Sequence, residues 1–426
     1  MRTRRSNFLK CFTQQRRCGS NPVDVVAILV FLGIGLAFLL VDLQRRREAT
    51  RVDSCRNNIR NIGIAISHYH DVHQQLPIHG TGTHDEASAT ADEGDAGPGG
   101  TGGTGGGNNG KFLSFLVGIL PHLEQQAIWD TIRTPSSKTV RGDLAPGAVW
   151  NAMGPATSQR AYPPWVTDIA AFRCPSDPRN GPITGRTNYA ACLGDALDFQ
   201  MDSAIRFHEP SNSWKLDPLA RRRVDAAARG AFVFREDMTL SDITDGLSNT
   251  MLVSELVTSQ GARDTRTSPA LGYGEQTPAI PVRGGIFDTP RCSDQSINPM
   301  RPRFWIGPND RSAPKLPMRP DEYRGMRWSD ARAVCTGFNS ILPPNSSVQV
   351  AGMDISGPAV VPPSSNHPGG AHVLLADGST KFIFDSIDCG NLWGGTIRLG
   401  MQGDLAPGSP SAFGAWGALG TRAAND

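Results

Sequence analysis

Residues 19–40 read GSNPVDVVAILVFLGIGLAFLL, and the architecture of the whole chain follows from them. From Val25 to Val41 there are 17 residues without a charge. As a helix they would measure about 26 Å, close to the roughly 30 Å of a bilayer core. The stretch therefore predicts a membrane-spanning segment at about residues 23–41. Asp24 stands at its head, where a carboxylate either lies at the interface near the positive helix end or has a partner in lipid.

The helical pattern continues beyond the apolar run without Pro or Gly as far as Gly63. Apolar residues then recur every three or four positions, which is one stripe of an amphipathic helix. The stripe consists of Val52, Cys55, Ile59, Ile62, Ile66, Tyr69, Val72 and Leu76. Pro77 ends it. The sequence predicts one helix from about Pro22 to Leu76, with a membrane half and an amphipathic half against which a globular body packs. A coiled-coil partner would fit the same stripe less well, because sustained heptads are missing.

The remainder divides into a linker, a head and a tail. Residues 77–110 contain few large apolar side chains, which predicts a flexible Gly-rich loop. Residues 111–400 begin with a helical pattern broken by Pro121, which predicts a second helix that packs on the first, and continue with short strand-like runs between turns. Residues 401–426 are expected to form a C-terminal tail. Asp377-Gly378 supplies the turn of the clearest hairpin. The predicted class is α+β: a long N-terminal helix packed on a mostly antiparallel β head, as in pilins.

Composition excludes some functions and leaves the topology open. The net charge is +2 and no dense basic stretch lies outside the flanks of the apolar run, which argues against a nucleic-acid partner. Because both flanks carry several Arg, positive charge does not orient the helix. A cleaved signal peptide would need a small-x-small site after the run, and Val41-Asp42-Leu43 follows instead. The sequence predicts an uncleaved, single-pass anchor in a lipid bilayer.

The N-terminal segment resembles that of bacterial prepilins and pseudopilins. Such proteins have a basic leader, a Gly before the peptidase cut, a carboxylate five residues later and an apolar helix. Here these are residues 1–19, Gly19, Ser20 as the new N-terminus, and Asp24, with Gly33 where such helices often carry a Gly. The resemblance implies cleavage by a prepilin peptidase. It also implies that Asp24 pairs with the α-ammonium of a neighbouring subunit, either another copy or another pseudopilin.

Further blocks resemble a large paralogous bacterial family of unknown function. They include CRNNIRNIGIAISHYHDVHQQLPI, FRCPSDP, ITDGLSNTMLVSE and SSNHPGGAHVLLADGSTKFIFDSID, in the order of that family and across most of residues 50–390. The family joins a prepilin-type helix to a C-terminal signature of His, nine residues and Asp-Gly, here His367, Asp377 and Gly378. Membership implies an anchor in the inner membrane, a cytoplasmic leader, an extracytoplasmic head and no known reaction.

Catalysis and metal binding are considered and not favoured. His68, His70 and His73 lie near the end of the long helix, where adventitious metal binding is a simpler interpretation than a built site. A His367/Asp377 pair would need a nucleophile, and neither Gly-x-Ser-x-Gly nor Ser-x-x-Lys occurs. The signature residues are therefore expected to be structural, and neither a catalytic residue nor a metal site is predicted.

Calcium is the one cofactor that the loops leave open. The acidic stretches at Ser241 and Asp354 could offer oxygen ligands, but neither matches EF-hand spacing, so no cofactor is expected.

The cysteines permit disulfides in an oxidising compartment, which the resemblance implies for the head. Six of the eight follow the apolar run, and sequence alone leaves 15 pairings open. Cys174 with Cys192, which close a short loop, and Cys292 with Cys335 are the candidate disulfides.

Three functions are carried forward. The first is a non-enzymatic pseudopilin-like protein, a subunit of a secretion or pilus-like assembly. The second is a static anchored binding module or receptor that does not polymerise, which is favoured by Asp24 in place of the usual Glu and by Ser20 in place of Phe or Met. The third is a membrane-bound hydrolase that uses His367.

Overall fold

The structure is a computed structural model that describes residues 22–84, 107–144, 146, 148–178, 184–208, 213–274 and 284–424. Gly19 and Ser20 lie outside these residues, as do 85–106 of the Gly-rich segment. The chain divides into two compact units, Met1–Thr50 and Arg51–Asp426.

Helix α1 spans Pro22–His73 as one continuous element. Pro22 is the first residue that the structure describes, and the end of α1 comes three residues before the predicted Leu76. The reason is local: Gln74 takes a left-handed conformation with φ 58°, and its backbone N–H donates to the His70 carbonyl at 2.7 Å. A left-handed residue stops an α-helix before the proline does.

The head contains several short helices. The segment predicted as a second helix, interrupted at Pro121, forms two α-helices with a 3₁₀ turn at Leu120–Leu123 between them. The α-helices after α1 are α2 Phe115–Gly118, α3 Gln126–Arg133, α4 Pro163–Val166, α5 Pro218–Ala227, α6 Ala333–Thr336 and α7 Gly414–Ala418. Further 3₁₀ turns lie at Ala170–Phe172, Leu240–Asp242, Gly285–Phe287, Asp294–Ser296, Pro320–Glu322 and Gly403–Leu405.

Within the described residues, the strands of the head form one five-stranded sheet and three two-stranded ones. Their bounds are β1 Lys138–Thr139, β2 Gly142–Asp143, β3 Tyr189–Cys192, β4 Ile205–His208, β5 Ser213–Leu216, β6 Met251–Glu255, β7 Gly337–Phe338, β8 Gln349–Val350, β9 Ala359–Val360, β10 Gly370–Leu375 and β11 Thr380–Phe384. The large sheet has the order β11-β10-β6-β3-β7, antiparallel except for β3 with β7. The predicted α+β class with a mostly antiparallel head is confirmed.

The C-terminal half of α1 supplies part of the core of the head. Cys55, Ile59, Ile62 and Ile66 on the predicted stripe are at most 1% exposed. The three isoleucines pack in a cluster with side chains of α2, β3, β6 and β10. Val72, on the same stripe, is 68% exposed because it lies in the last turn of α1, beyond the part that the head covers.

Both ends of the predicted flexible loop are fixed in the head, which corrects the prediction for residues 77–84 and 107–110. His79 bridges Phe234, and Thr81 bridges Leu113. Asn109 donates from Nδ2 to the Met153 carbonyl at 2.9 Å. The prediction was based on the scarcity of large apolar side chains. Backbone pairing fixes these residues without them.

The predicted tail also packs against the head. Trp416 of α7 is fully buried, and its Nε1 donates to the Leu342 carbonyl at 2.9 Å. Phe413 is 1% exposed. These aromatic side chains explain why residues up to 424 belong to the folded body.

Candidate functional site

A cluster of buried polar and sulfur-containing side chains lies where α1 meets the large sheet. We call it the Cys–His–Glu cluster; its members are Cys55, Cys174, Glu255 and His367. Cys55 comes from α1, Cys174 follows the 3₁₀ turn at Ala170–Phe172, Glu255 ends β6, and His367 lies in the loop before β10. Each side chain offers one potential ligand atom, and these four atoms all lie within 4.8 Å of one another.

The two cysteines form a disulfide. Cys55 and Cys174 are 119 residues apart in sequence, and their Cα atoms are 5.1 Å apart. The bond joins the buried face of α1 to the head, and Cys174 is only 6% exposed.

This pairing differs from both predicted disulfides. Cys192 is free and packs in another apolar cluster, with Phe338 and Trp416. Cys292 and Cys335 are also free, and they lie in two separate clusters. Short spacing favoured Cys174 with Cys192, but the side chain of Cys192 faces away into the core on the other side of β3.

Glu255 is held by the neighbouring strand β10. Its Oε2 accepts from the backbone N–H of His372 at 3.0 Å, and its Oε1 lies 3.1 Å from Nδ1 of His372. The antiparallel register of β6 and β10, with Val373 opposite Ser254, brings the two side chains together.

His367 faces the disulfide. Its Nε2 lies 3.6 Å from Sγ of Cys174 and 4.0 Å from Oε1 of Glu255. Its backbone N–H donates to Oγ of Ser365 at 3.1 Å, and its ring meets that of His372 edge-on, with centroids 5.7 Å apart. His367 is 2% exposed.

The signature residues are therefore not brought together. His367 precedes β10, whereas Asp377 and Gly378 follow it and form the turn to β11. Oδ1 of Asp377 accepts from the backbone N–H of Ser379 at 2.8 Å, and hydrogen bonding to the side chain and then the backbone of Ser379 lowers the pKa of Asp377. Gly378 has φ +81°, which the turn requires. Asp377 and Gly378 serve the hairpin, and His367 belongs to the Cys–His–Glu cluster.

Two side chains fix the backbone around the disulfide: Asn188, directly before β3, and Tyr189, the first residue of β3. Asn188 accepts at Oδ1 from the Cys174 N–H at 3.0 Å and donates from Nδ2 to the Leu256 carbonyl at 2.9 Å. The hydroxyl of Tyr189 donates to the Cys55 carbonyl at 3.3 Å. Burial, together with the nearby charge of Glu255, raises the pKa of Tyr189 well above its usual value, so this donor keeps its proton.

A second polar group joins the loop of Cys174 to the loop of His367. Asp177 is paired with Arg173 at 3.1 Å and accepts from Nδ2 of Asn366 at 2.9 Å. Thr258 also donates to this carboxylate. This hydrogen bond joins the two loops at Asn366, one residue before His367, and at Asp177, three residues after Cys174.

The other sequence candidates do not form comparable groups. Among the residues that the structure describes, the His residues at 68, 70 and 73 do not join any group of three or more close metal-ligand side chains. Oδ2 of Asp242 accepts from the Thr239 N–H, and Oδ1 of Asp354 accepts from the Ser356 N–H, so both loops use their carboxylates in local turns. Asp24 lies in the first turn of α1.

Sequence reasoning missed Cys55, Glu255 and His372 as site residues. A signal existed for two of them. Cys55 stood on the apolar stripe that packs on the head, and Glu255 is a carboxylate inside the apolar run MLVSELV. A charged side chain in such a run needs a buried partner.

Chemically, the cluster combines two sulfur atoms, one carboxylate and one imidazole in a dry environment. In the oxidised form it is a covalent cross-link surrounded by hydrogen bonds. A cavity elsewhere, lined by Arg221, Asp225, Glu236, Asp242 and Arg422 among others, contains no member of the cluster.

Comparisons with known proteins give one match. The profile of a family of proteins of unknown function, DUF1559, matches residues 44–390. No curated protein and no solved structure matches the chain. The matched range covers most of the chain and includes all four members of the Cys–His–Glu cluster, and the chain belongs to this family of unknown function.

Proposed function

We propose that this protein is a non-enzymatic, pseudopilin-like subunit of a secretion or pilus-like assembly, anchored once in the inner membrane with its head outside the cytoplasm. The observation that carries the proposal is the contrast along α1. Large apolar side chains of its first part are exposed, whereas its second part is built into the head. One continuous helix with these two halves is the architecture of a pilin.

Exposed apolar side chains on the first part of α1 support the anchor. Among them are Leu29, Phe31, Leu32, Phe38 and Leu39, each at least 62% exposed. An apolar surface of this size is unfavourable in water and is satisfied by lipid. By length and composition, α1 is long and apolar enough to cross a membrane.

The disulfide supports the orientation. Disulfides persist in oxidising compartments and are rare in the cytosol. A head joined to its helix through Cys55 and Cys174 is therefore suited to the extracytoplasmic side, with the basic leader remaining inside.

Burial supports the non-enzymatic part of the proposal. The members of the Cys–His–Glu cluster are 0–6% exposed, so a substrate has no direct access to the imidazole or the carboxylate. A hydrolase that uses His367 would need an open site next to it.

Mass spectrometry of the N-terminus tests the proposal. We expect a chain that begins at Ser20 after expression with a prepilin peptidase, and a Gly19→Val variant that stays uncut. A wild-type chain that still begins at Met1 would support a static anchored binding module instead. A phosphatase reporter fused to the C-terminus should be active, and an inactive phosphatase would overturn the orientation.

Crosslinking in membranes tests assembly. We expect Asp24→Asn to lower the yield of crosslinked oligomers while leaving the protein in the membrane, because the carboxylate no longer pairs with a neighbouring α-ammonium. Asp42→Asn is the matched control, since Asp42 lies on the same helix and pairs with Arg46 at 2.8 Å on an exposed face. Equal yields for both variants would contradict a polymerising role.

A further inference from the structure

The Cys–His–Glu cluster contains the ligand set of a zinc site. Sγ of Cys174 and Nε2 of His367 are 3.6 Å apart, and Nε2 of His367 is 4.0 Å from Oε1 of Glu255. Bonds of 2.0–2.3 Å to a tetrahedral Zn²⁺ place neighbouring ligand atoms about 3.3–3.8 Å apart. The two sulfur atoms, joined in the disulfide, are too close together to share an ion, and the four ligand atoms all lie within 4.8 Å of one another.

We propose that reduction of the Cys55–Cys174 disulfide converts the cluster into a binding site for Zn²⁺ or a similar thiophilic divalent cation. The ligands are the two thiolates, Nε2 of His367 and Oε1 of Glu255. Either state then joins α1 to the head, by a disulfide when oxidised and by the metal when reduced.

The two steps balance. A dithiol reductant gives two electrons and two protons to the disulfide; it becomes a cyclic disulfide, and the two cysteines become thiols. The cation then replaces the two thiol protons, which are released, and forms two metal–sulfur bonds.

Supporting contacts orient the ligands before metal arrives. Oε2 of Glu255 accepts from the His372 backbone, and the Nδ1 of His372 lies against Oε1. Asn188 holds the backbone of Cys174, and Tyr189 holds that of Cys55. Hydrogen bonds of this kind to ligand residues are typical of metal sites.

The buried carboxylate of Glu255 is a second reason for the proposal. Its ion-pair contacts within the described part of the chain are the two imidazoles of His367 and His372, and the phenol of Tyr189 is its further ionisable neighbour. A carboxylate that is 2% exposed without a Lys or Arg is costly, and a divalent cation offsets that cost.

The route to the cluster is short. Pro368 and Gly369, directly after His367, are exposed, so a small opening of this turn reaches the ring. Gly369 has φ +87° and takes this turn without strain.

Metal titration of the full chain in detergent tests the proposal. The protein is reduced with dithiothreitol, which is removed without oxygen, and then titrated with Co²⁺ and Zn²⁺. The background carries Cys11→Ser and Cys18→Ser to remove leader thiols. We expect the reduced chain to bind one ion more than the oxidised chain, with a thiolate-to-cobalt charge-transfer band that Zn²⁺ abolishes and that the oxidised protein lacks.

Variants assign the ligands. We expect His367→Gln and Glu255→Gln to weaken Zn²⁺ binding by at least about 10–100-fold, the range for removing even an indirect contact. Cys335→Ser, a buried free cysteine outside the cluster, should bind as the parent does. Circular dichroism checks that each variant is folded.

Several outcomes would overturn the proposal. They are a reduced parent that binds no Co²⁺, a charge-transfer band that persists in the double variant Cys55→Ser/Cys174→Ser, and equal binding by oxidised and reduced protein. The parent's band does not depend on any variant, so a variant that fails to fold leaves the test intact.

Discussion

The two halves of α1 are continuous in backbone and opposite in surroundings. Ile34 in the first half is 49% exposed, and Ile62 in the second is fully buried. Gly33 has open space where a side chain would be, whereas Gly63 lies against Leu374. The same helix thus satisfies two different environments, and each half should respond to its own kind of substitution.

The largest effect is expected from charges in the first half. Leu32→Asp with Leu36→Asp adds two carboxylates near the centre of the span, at about 2.5–3.5 kcal/mol each for membrane insertion. We expect the protein to be lost from alkali-washed membranes. Leu32→Ile with Leu36→Ile should remain there. Retention of the double Asp variant would show that this half is not a lipid-embedded anchor.

Removing the disulfide should have the next largest effect, and only on the second half. Cys55→Ala with Cys174→Ala opens a loop of 119 residues, for which chain entropy gives about 4–5 kcal/mol of unfolding free energy. Denaturant unfolding of the head, with a chelator present so that no metal replaces the bond, measures the loss. Membrane attachment should be unchanged. An unaltered unfolding midpoint would mean that the bond adds nothing to the stability of the head.

A matched pair of isoleucines compares the halves directly. Ile62→Ala removes buried methylene and methyl groups and leaves a cavity, which should lower the unfolding free energy of the head by about 2–5 kcal/mol. Ile34→Ala should leave it unchanged. The same denaturation experiment measures both, and equal effects would contradict the division of α1.

Acid should destabilise the region just beyond α1 through His79. This ring is 1% exposed among Phe115, Phe232 and Phe234, and burial lowers its pKa from 6.5 to about 4. Between these values the unfolded chain binds a proton that the folded one does not, so stability falls as pH decreases. We expect a loss of up to about 3 kcal/mol from pH 7 to pH 4.

The comparison with His79→Leu isolates this histidine. Unfolding midpoints of the variant should depend less on pH over the same interval, since the unfolded chain then has one group fewer to protonate. Parallel profiles for the parent and the variant would show that His79 takes up its proton equally in both states.

The smallest effect is expected at the two glycines. A Cβ at Gly63 would lie 2.8 Å from Cδ1 of the buried Leu374. The resulting strain of about 1–3 kcal/mol exceeds the roughly 1 kcal/mol by which Ala favours a helix, so Gly63→Ala should destabilise the head by about 1 kcal/mol. Gly33→Ala meets no atom and should not change the unfolding of the head. A more stable Gly63→Ala head would show that Leu374 moves aside freely.

Local patterns were sufficient to predict α1 and the hairpin. The stripe from Cys55 to Ile66 depends on a periodicity of 3.6 residues, and the turn at Gly378 depends on a dipeptide. The end of α1 at His73 was missed because the left-handed Gln74 has no sequence signal comparable to Pro77.

The site depended on long-range packing and could not be predicted in the same way. Cys55 and Cys174 meet only after α1 packs on the head, and short spacing wrongly favoured Cys192. Glu255 meets His372 through the register of two strands far apart in sequence. The family signature identified His367 and a structural role was expected for it, but nothing in the sequence indicated that it would meet Cys174 and Glu255.

The covalent bond at Cys55 has a mechanical consequence. Tension applied to the anchor travels up α1 and at Cys55 can pass through sulfur directly to Cys174. Residues 56–173, which lie between the two cysteines, are then outside the covalent path that carries the tension. Insertions or deletions in the Gly-rich segment, which is part of this range, would therefore not change how far the head can be pulled from the membrane surface.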